Sequence, residues 1–189
     1  MATKPIATVE QVTITPLLVG RPLRRRADDE NRQILMLSST ATSAAVAEGC
    51  DQCAKIAMKL CQADSCGISV GEAAADGQRV FRRVALTGVL AGHLAGTTPR
   101  LSSPCGVTVD AGTPILMRRP ELAYPYLGVG TPLHDLLLVP LTPRRDPVEG
   151  AIWVVMHNTA RKFDAQDARI LGSIAAIASR LVKRPQQPQ

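Results

Sequence analysis

Aromatic residues are scarce in this chain of 189 residues: one Trp, two Tyr and two Phe make up 3% of it. Aliphatic side chains must therefore fill its interior, and an apolar content of 46% is sufficient for a core. No run of about eighteen apolar residues occurs, so we expect no transmembrane helix. The N-terminus lacks a charged start followed by an apolar stretch, so we expect no secretory signal and a cytoplasmic location.

A strong charge of one sign is also missing from most of the chain. The formal net charge is +6, but residues 1–27 alone hold five basic residues and one acidic residue. The remainder is nearly balanced, which argues against a nucleic-acid surface because such a surface needs clustered cations. The motifs of several enzyme classes are absent too, since the sequence has no Gly-rich dinucleotide motif, P-loop, Ser-His-Asp order or paired carboxylates.

The chain does contain an ordered series of short apolar runs between helical segments. We expect a flexible basic arm over 1–27, one domain over 28–184 and a disordered tail over 185–189. Apolar spacing predicts helices over about 29–45, 51–62, 88–95 and 165–183. Asp164 is a suitable N-cap for the last of them. We expect Gly49 to interrupt the helical structure between the first two helices.

Apolar and alternating runs predict strands over 66–71, 79–86, 114–117, 136–140 and 151–157. Asp76-Gly77 predicts a hairpin turn between the first two of them. This order predicts an α+β domain with a central, mainly antiparallel sheet of five or six strands. The terminal helices would cover one face of the sheet. The segment 87–135, which is irregular and rich in Gly and Pro, would cover the other, and long segments of this kind are usually functional.

The turn Ser103-Pro104-Cys105-Gly106, followed by the apolar strands and then by Phe163-Asp164 at a helix start, resembles a GAF domain. The resemblance covers about residues 50–182, and it is to the bacterial branch with an S-P-C-G turn found in sensory and histidine-kinase proteins. It implies a non-enzymatic sensory or regulatory module of the two-component signalling type. Its small-molecule ligand would lie between the sheet and residues 87–135. The N-K-x-F-D-E signature of cyclic-nucleotide-binding GAF domains is absent, and the sequence leaves the ligand and any cofactor unknown.

Candidate ligand-binding residues lie in or beside this segment, and they are chosen because thiol, imidazole, hydroxyl, guanidinium and indole groups can contact a small molecule. They are His93, Ser103, Cys105, Arg118, Tyr124, Tyr126, His134 and Trp153. Structural roles stay open for them: Cys105 could pack its turn, and Arg118 could lie at the solvated end of a strand. We predict no catalytic residue.

Two other functions stay open. The free methionine-(R)-sulfoxide reductases, an enzymatic GAF branch, carry a G-x-C-G turn at a comparable place, which suggests a thiol-redox enzyme or redox sensor that uses Cys105. Such an enzyme needs an attacking and a resolving thiol, and no Cys follows Cys105, although a pair with Cys66 is compatible with the spacing. The second alternative is a structural interaction domain without a ligand.

Four cysteines precede that turn in a C-x2-C-x7-C-x4-C pattern, which would suit zinc or an iron–sulfur cluster. However, Cys50, Cys53 and Cys61 share one helical face with Ala and Met residues, as in a buried stripe. We therefore predict apolar packing and no metal site for them and for Cys66.

The apolar stripe of the last helix is wider than one needed to cover a sheet. We therefore predict a homodimer through the terminal helices, with a separate signalling protein as a further partner. The residues concerned are Ile170, Ile174, Ile177 and Leu181, extended by Ile34, Leu35 and Leu37.

Overall fold

The computed structural model describes residues 4–23, 30–43, 45–128, 130–141 and 149–183. Within these ranges there are six α-helices: α1 Val9–Val12, α2 Leu17–Gly20, α3 Glu30–Ser43, α4 Val46–Leu60, α5 Pro104–Ala111 and α6 Ala165–Val182. The strands are β1 Ser65–Ala73, β2 Arg79–Gly88, β3 Thr97–Pro99, β4 Ile115–Arg118, β5 Asp135–Pro140 and β6 Gly150–Met156. No helix of the described ranges has both the length and the apolar character to cross a membrane.

The six strands form one sheet in the order β3-β2-β1-β6-β5-β4, and every neighbouring pair is antiparallel. The predicted α+β class and antiparallel sheet are therefore confirmed. Gly77 has a φ of +81° in the hairpin between β1 and β2, a conformation that favours glycine. Side chains alternate between the two faces of each strand, so β5 directs Leu137 and Val139 to one face and Leu136 and Leu138 to the other.

One face, here called the helix face, packs against α4 and α6, and α3 packs on these two helices. Its core includes Cys50 and Cys53 of α4, Ile174 of α6, and Ile68 and Ile152 of the sheet, all with no exposed surface. Cys61 and Cys66 lie in the same apolar core. Within the described ranges, no group of three or more His, Cys, Asp or Glu side chains is placed to hold a metal ion.

The start of α6 shows how capping side chains determine where a helix begins. Asp164 accepts hydrogen bonds from the amides of Gln166 and Asp167, and the Asp167 carboxylate accepts one from the amide of Asp164. Arg161 donates two hydrogen bonds to the buried Asp167 carboxylate, at 2.6 and 2.7 Å. The predicted N-cap and helix range are confirmed.

The predicted bounds of α4 and its break at Gly49 were wrong, because α4 begins at Val46 and includes that glycine. Gly49 is needed for packing: a Cβ there would lie 2.9 Å from Leu181 Cδ1 and 3.2 Å from the Ala41 carbonyl oxygen. The helix predicted over 88–95 is reduced to a short 3₁₀ turn, Ala91–His93.

The wide apolar stripe of α6 is used within the chain. Ile170, Ile174, Ile177 and Leu181 are at most 4% exposed, because α6 contacts α3 and α4 as well as the sheet. The argument that these residues leave an exposed patch for a dimer was therefore wrong. Of the α3 residues invoked with them, Leu37 is buried and Leu35 is exposed.

Residues 4–23, part of the segment expected to be a flexible arm, pack against the edge of the sheet. Thr13 forms a β-bridge with Met117 of β4, and Val12 and Leu18 are buried. Arg21 donates a hydrogen bond to the buried Asp135 carboxylate at 3.1 Å and another to the Phe163 carbonyl. Arg24, Arg25 and Arg26, three of the five basic residues of the expected arm, lie outside the described residues.

Candidate functional site

The second face of the sheet is covered by residues 87–135, called the roof here. The roof includes the edge strands β3 and β4 together with α5 and several 3₁₀ turns. It encloses a cavity of about 160 Å³ against the sheet. The wall is mainly aliphatic, and its apolar members outside α5 are Leu86, Leu90, Leu127, Leu133, Leu136, Leu138, Val155 and Trp153.

Trp153 forms the floor of this cavity, and the neighbouring strand is shaped to fit its indole. Gly67 pairs with Trp153 across β1 and β6, and a Cβ on Gly67 would lie 2.3 Å from the indole Cζ2. The indole Nε1–H donates to Ser69 Oγ at 3.0 Å. Ser69 also lies beside Cys105, where its hydroxyl lowers the pKa of the thiol, so the same serine neighbours both the floor and the roof.

Cys105 enters the cavity wall with Pro104 at the start of α5. Ser103 is the N-cap of this helix, and its Oγ accepts a hydrogen bond from the amide of Gly106 at 3.1 Å. A Cβ on Gly106 would lie 2.1 Å from the Arg100 carbonyl oxygen, which explains the glycine of this turn. Burial raises the pKa of the Cys105 thiol to about 12, so the thiol is neutral at pH 7.

Of the eight candidate residues, the structure brings four to the cavity wall: His93, Cys105, Tyr126 and Trp153. The Tyr126 hydroxyl donates to the Ser102 carbonyl oxygen at 2.9 Å, and desolvation raises its pKa. His93 lies in the 3₁₀ turn at the exposed side of the roof.

The other four candidates lie outside the wall. Ser103 caps α5, and Arg118 pairs with the buried Asp135 carboxylate at 3.3 Å. Tyr124 is buried behind Tyr126, with the two ring centroids 6.2 Å apart in an edge-on arrangement. Burial raises the Tyr124 pKa to about 12. His134 precedes β5, where its amide donates to the Met156 carbonyl.

Sequence analysis missed Arg83, whose side chain lines the cavity. Simple alternation along β2 placed Phe81, Arg83 and Ala85 on one face and Leu86 on the other. The register with β1 shifts between Ile68 and Ser69, which leaves one extra residue in β2 at Val84. This bulge directs Ala85 to the helix face and Leu86 to the cavity, beside Arg83. Thr97 and Thr98 of β3 were also missed.

A hydrogen-bonded network fixes both ends of the roof to the sheet. His157 Nδ1 donates to the Pro132 carbonyl at 2.7 Å, and this assigns Nε2 as the acceptor for the Ser65 hydroxyl at 2.9 Å. Ser65 Oγ also accepts from the amide of Leu90 at 3.1 Å. Ser65 has no exposed surface, so the arrangement anchors the roof and offers no accessible nucleophile.

Comparisons with known proteins establish the fold. No family model and no curated protein matches the sequence. Among solved structures, the GAF domain of an Acinetobacter phosphoenolpyruvate-protein phosphotransferase superposes with a TM-score of 0.67 at 14% identity, covering 82% of this chain and 93% of that one. Free methionine-R-sulfoxide reductase from Neisseria meningitidis gives 0.65 at 16% identity, covering 85% and 94%.

A third structure, the second GAF domain of DevS from Mycobacterium smegmatis, gives a TM-score of 0.55 at 21% identity and covers 76% of this chain and 91% of that one. GAF domains of a phosphotransferase and of DevS and a sulfoxide reductase thus share one architecture, so the likeness defines the fold and leaves the chemistry to the site. The helix-covered antiparallel sheet, the roof over its second face and these superpositions together identify the chain as a GAF domain in fold.

Proposed function

We propose that this protein is a non-enzymatic sensory or regulatory module that holds one small molecule between the sheet and the roof. The observation that carries the proposal is the cavity of about 160 Å³ beside Trp153. A mainly apolar cavity with a few polar groups is the usual form of a small-molecule site. A cavity of about 150 Å³ accommodates a benzene molecule, so we expect a ligand of roughly that size or slightly larger.

The construction of the roof supports a regulatory role. A bound molecule would contact Leu86 and Val155 of the sheet together with Leu127 and Leu133 of the roof. The roof segments that touch the cavity are short strands, 3₁₀ turns and one end of a helix, and segments of this kind order easily when a ligand joins them. Ligand binding is therefore expected to stabilise the roof against the sheet.

The thiol-redox alternative has weaker support. Cys105 is the only cysteine on the cavity side, since the other four belong to the helix-face core. The sheet therefore separates Cys105 from Cys66, the partner that spacing had left open. A neutral, buried thiol is also a poor attacking group. We expect no reduction of free methionine sulfoxide with dithiothreitol or thioredoxin as reductant.

A cytoplasmic location is part of the proposal, because all five cysteines are free thiols, as is usual in reducing compartments. Output would pass to a second copy of the chain or to a separate signalling protein. The terminal helix that offers apolar surface for this is α3, where Leu35 is 71% and Met36 is 59% exposed. Light scattering of the intact chain and of Leu35→Asp measures whether this surface forms a dimer.

Native mass spectrometry of the freshly purified protein, combined with a thermal shift assay in benzyl alcohol, tests the binding function. We expect either a co-purified molecule or a rise in Tm with benzyl alcohol, because a ligand that binds only the native state stabilises it. Leu138→Trp, which fills the cavity, should abolish the shift. A protein that carries nothing and whose Tm is the same in benzyl alcohol and in buffer would favour the interaction domain without a ligand.

A further inference from the structure

Arg83 is the only arginine of β2 without a carboxylate partner among the described residues. Arg79 pairs with Glu149 at 2.5 Å, and Arg82 pairs with Glu72 at 2.8 Å. The one hydrogen bond of the Arg83 side chain to a described residue runs from Nε to the His93 carbonyl oxygen at 2.7 Å. No Asp or Glu is among the described residues of the cavity wall, so neither Nη group has a carboxylate partner there.

Keeping this charge at the cavity wall is costly. The guanidinium is half-buried, and desolvation lowers the pKa of Arg83. A charged group that leaves water is unfavourable unless an opposite charge compensates it. An aliphatic residue would complete the apolar wall at this position without that cost, so the guanidinium is better explained by a counter-charge that arrives with the ligand.

The roof is shaped around the Arg83 side chain. A Cβ on Gly96 would lie 1.6 Å from Arg83 Nη2 and 2.8 Å from Cζ, so the guanidinium lies directly on the backbone of this glycine. The His93 carbonyl fixes Nε on the same loop. These two contacts hold the guanidinium in one orientation before a ligand binds. A planar guanidinium with a fixed orientation is suited to bidentate binding of a carboxylate.

Apart from His93 on the exposed side, the remaining polar groups of the described wall carry no full charge at pH 7. They include the hydroxyls of Thr97 and Thr98 and the neutral Cys105 thiol. One cation with neutral neighbours matches a single negative charge better than a phosphate dianion. The α5 N-terminus, where Pro104 and Cys105 reach the wall, adds positive potential of the same sign.

We propose that the cavity selects small monocarboxylates, with the carboxylate bound by Arg83 and a compact apolar body against Trp153 and Leu136. This inference rests on the proposed function, because it names the ligand class of the same cavity. The volume of about 160 Å³ suits a ligand of approximately the size of benzoate. Benzoate and benzyl alcohol therefore form a matched pair of probes that differ in charge and share one ring.

The test is a calorimetric titration of the intact chain with each probe, supported by the fluorescence of Trp153, the only tryptophan. We expect benzoate to bind about tenfold more tightly than benzyl alcohol or better, the scale of a charge-assisted hydrogen-bonded pair. Arg83→Met should remove this preference, so that the ratio of the benzoate affinity to the benzyl alcohol affinity falls to about one. Arg82→Met, which alters the exposed partner of Glu72 on the same strand, is the matched control and should keep the preference.

The outcomes separate the two proposals. If benzyl alcohol binds and benzoate binds no better, the carboxylate preference is overturned while the binding function stands. If neither probe binds and no molecule co-purifies, the binding function fails and the preference fails with it. If Arg83→Met does not fold, Gly96→Ala takes its place, because it displaces the guanidinium without removing it; an undiminished preference for benzoate in that variant would contradict the inference.

Discussion

The two faces of the sheet come from alternate residues of the same strands, yet one is filled and the other contains a cavity. On the helix face, Ile152 and Val154 meet long regular helices and have no exposed surface. On the opposite face, Trp153 and Val155 of the same strand border the cavity under the roof. Regular helices present continuous ridges that interdigitate with a sheet, whereas turns and short strands do not. The covering element, rather than the sheet, therefore determines which face contains a cavity.

The largest effect is expected from a charge placed in the filled face. Ile174→Asp on α6 should prevent stable folding, because Ile174 has no exposed surface and an unpaired carboxylate there would lack any partner. Ala176→Asp, on the exposed side of the same helix, is the control and should change the free energy of unfolding by only about 0.5 kcal/mol. Circular dichroism and urea denaturation measure both; a folded Ile174→Asp would show that α6 is not part of the core.

Two neighbouring leucines of β5 compare the faces directly. Leu137→Ala on the helix face should lower the free energy of unfolding by about 2–5 kcal/mol, because a new void would form in filled surroundings. Leu136→Ala should cost less than this, since Leu136 already borders a cavity and has fewer packing contacts to lose. Urea denaturation of both variants checks the order, and equal losses would mean that the second face is as closely packed as the first.

A pH dependence follows from the buried thiols. Burial raises the pKa of Cys50 to about 11 and of Cys105 to about 12, from an ordinary value of 9.0. Below pH 9 these thiols are neutral in both states, but above it they ionise in the unfolded chain first, so stability is lost as pH rises toward the folded pKa. The loss is about 1.4 kcal/mol per thiol for each pH unit in this range.

Urea unfolding at pH 8 and pH 10 measures the loss. The free energy of unfolding should differ less between pH 8 and pH 10 in Cys50→Ala, which removes a thiol of the helix face. Cys105→Ala, which removes the thiol of the cavity face, should have the same effect. A difference that neither substitution changes would show that other groups cause the alkaline destabilisation.

The smallest effect on stability is expected from Gly96→Ala. The clash is with the flexible end of Arg83, which can move, so the free energy of unfolding should fall by about 1 kcal/mol or less. Benzoate binding should nevertheless weaken, since the guanidinium leaves its position. Gly92→Ala in the same turn, where a Cβ would meet no neighbour, is the control and should alter neither quantity. A large loss of stability in Gly96→Ala would show that the loop cannot adjust.

Much of the filled face was predictable from the sequence, because regular helices and strands have fixed periods. The stripe of α4 that includes Cys50 and Cys53, and the cap of α6 at Asp164, follow from spacing and capping chemistry alone. The role of Gly49 was not predictable, since it depends on the approach of Leu181 from a distant helix. Local rules miss contacts that only the tertiary fold creates.

The cavity was predictable in place but not in chemistry. The irregular segment 87–135 indicated where the roof lies, and four of the eight candidate residues reach the wall. Arg83 was missed because strict alternation along β2 conceals the bulge at Val84. Ser103 and Arg118 were chosen for their polar groups, which the fold uses for a helix cap and for an ion pair with Asp135.

The central claim is that, of the two faces of the sheet in the described ranges, the roof-covered face is the one with room for a ligand. Crystals exposed to xenon under pressure test it most directly, because xenon occupies apolar cavities of this size. We expect xenon density beside Trp153 and Leu136, and none in the core around Ile152 and Ile174. Absence of xenon under the roof, or an occupied site within the helix-face core, would contradict the account.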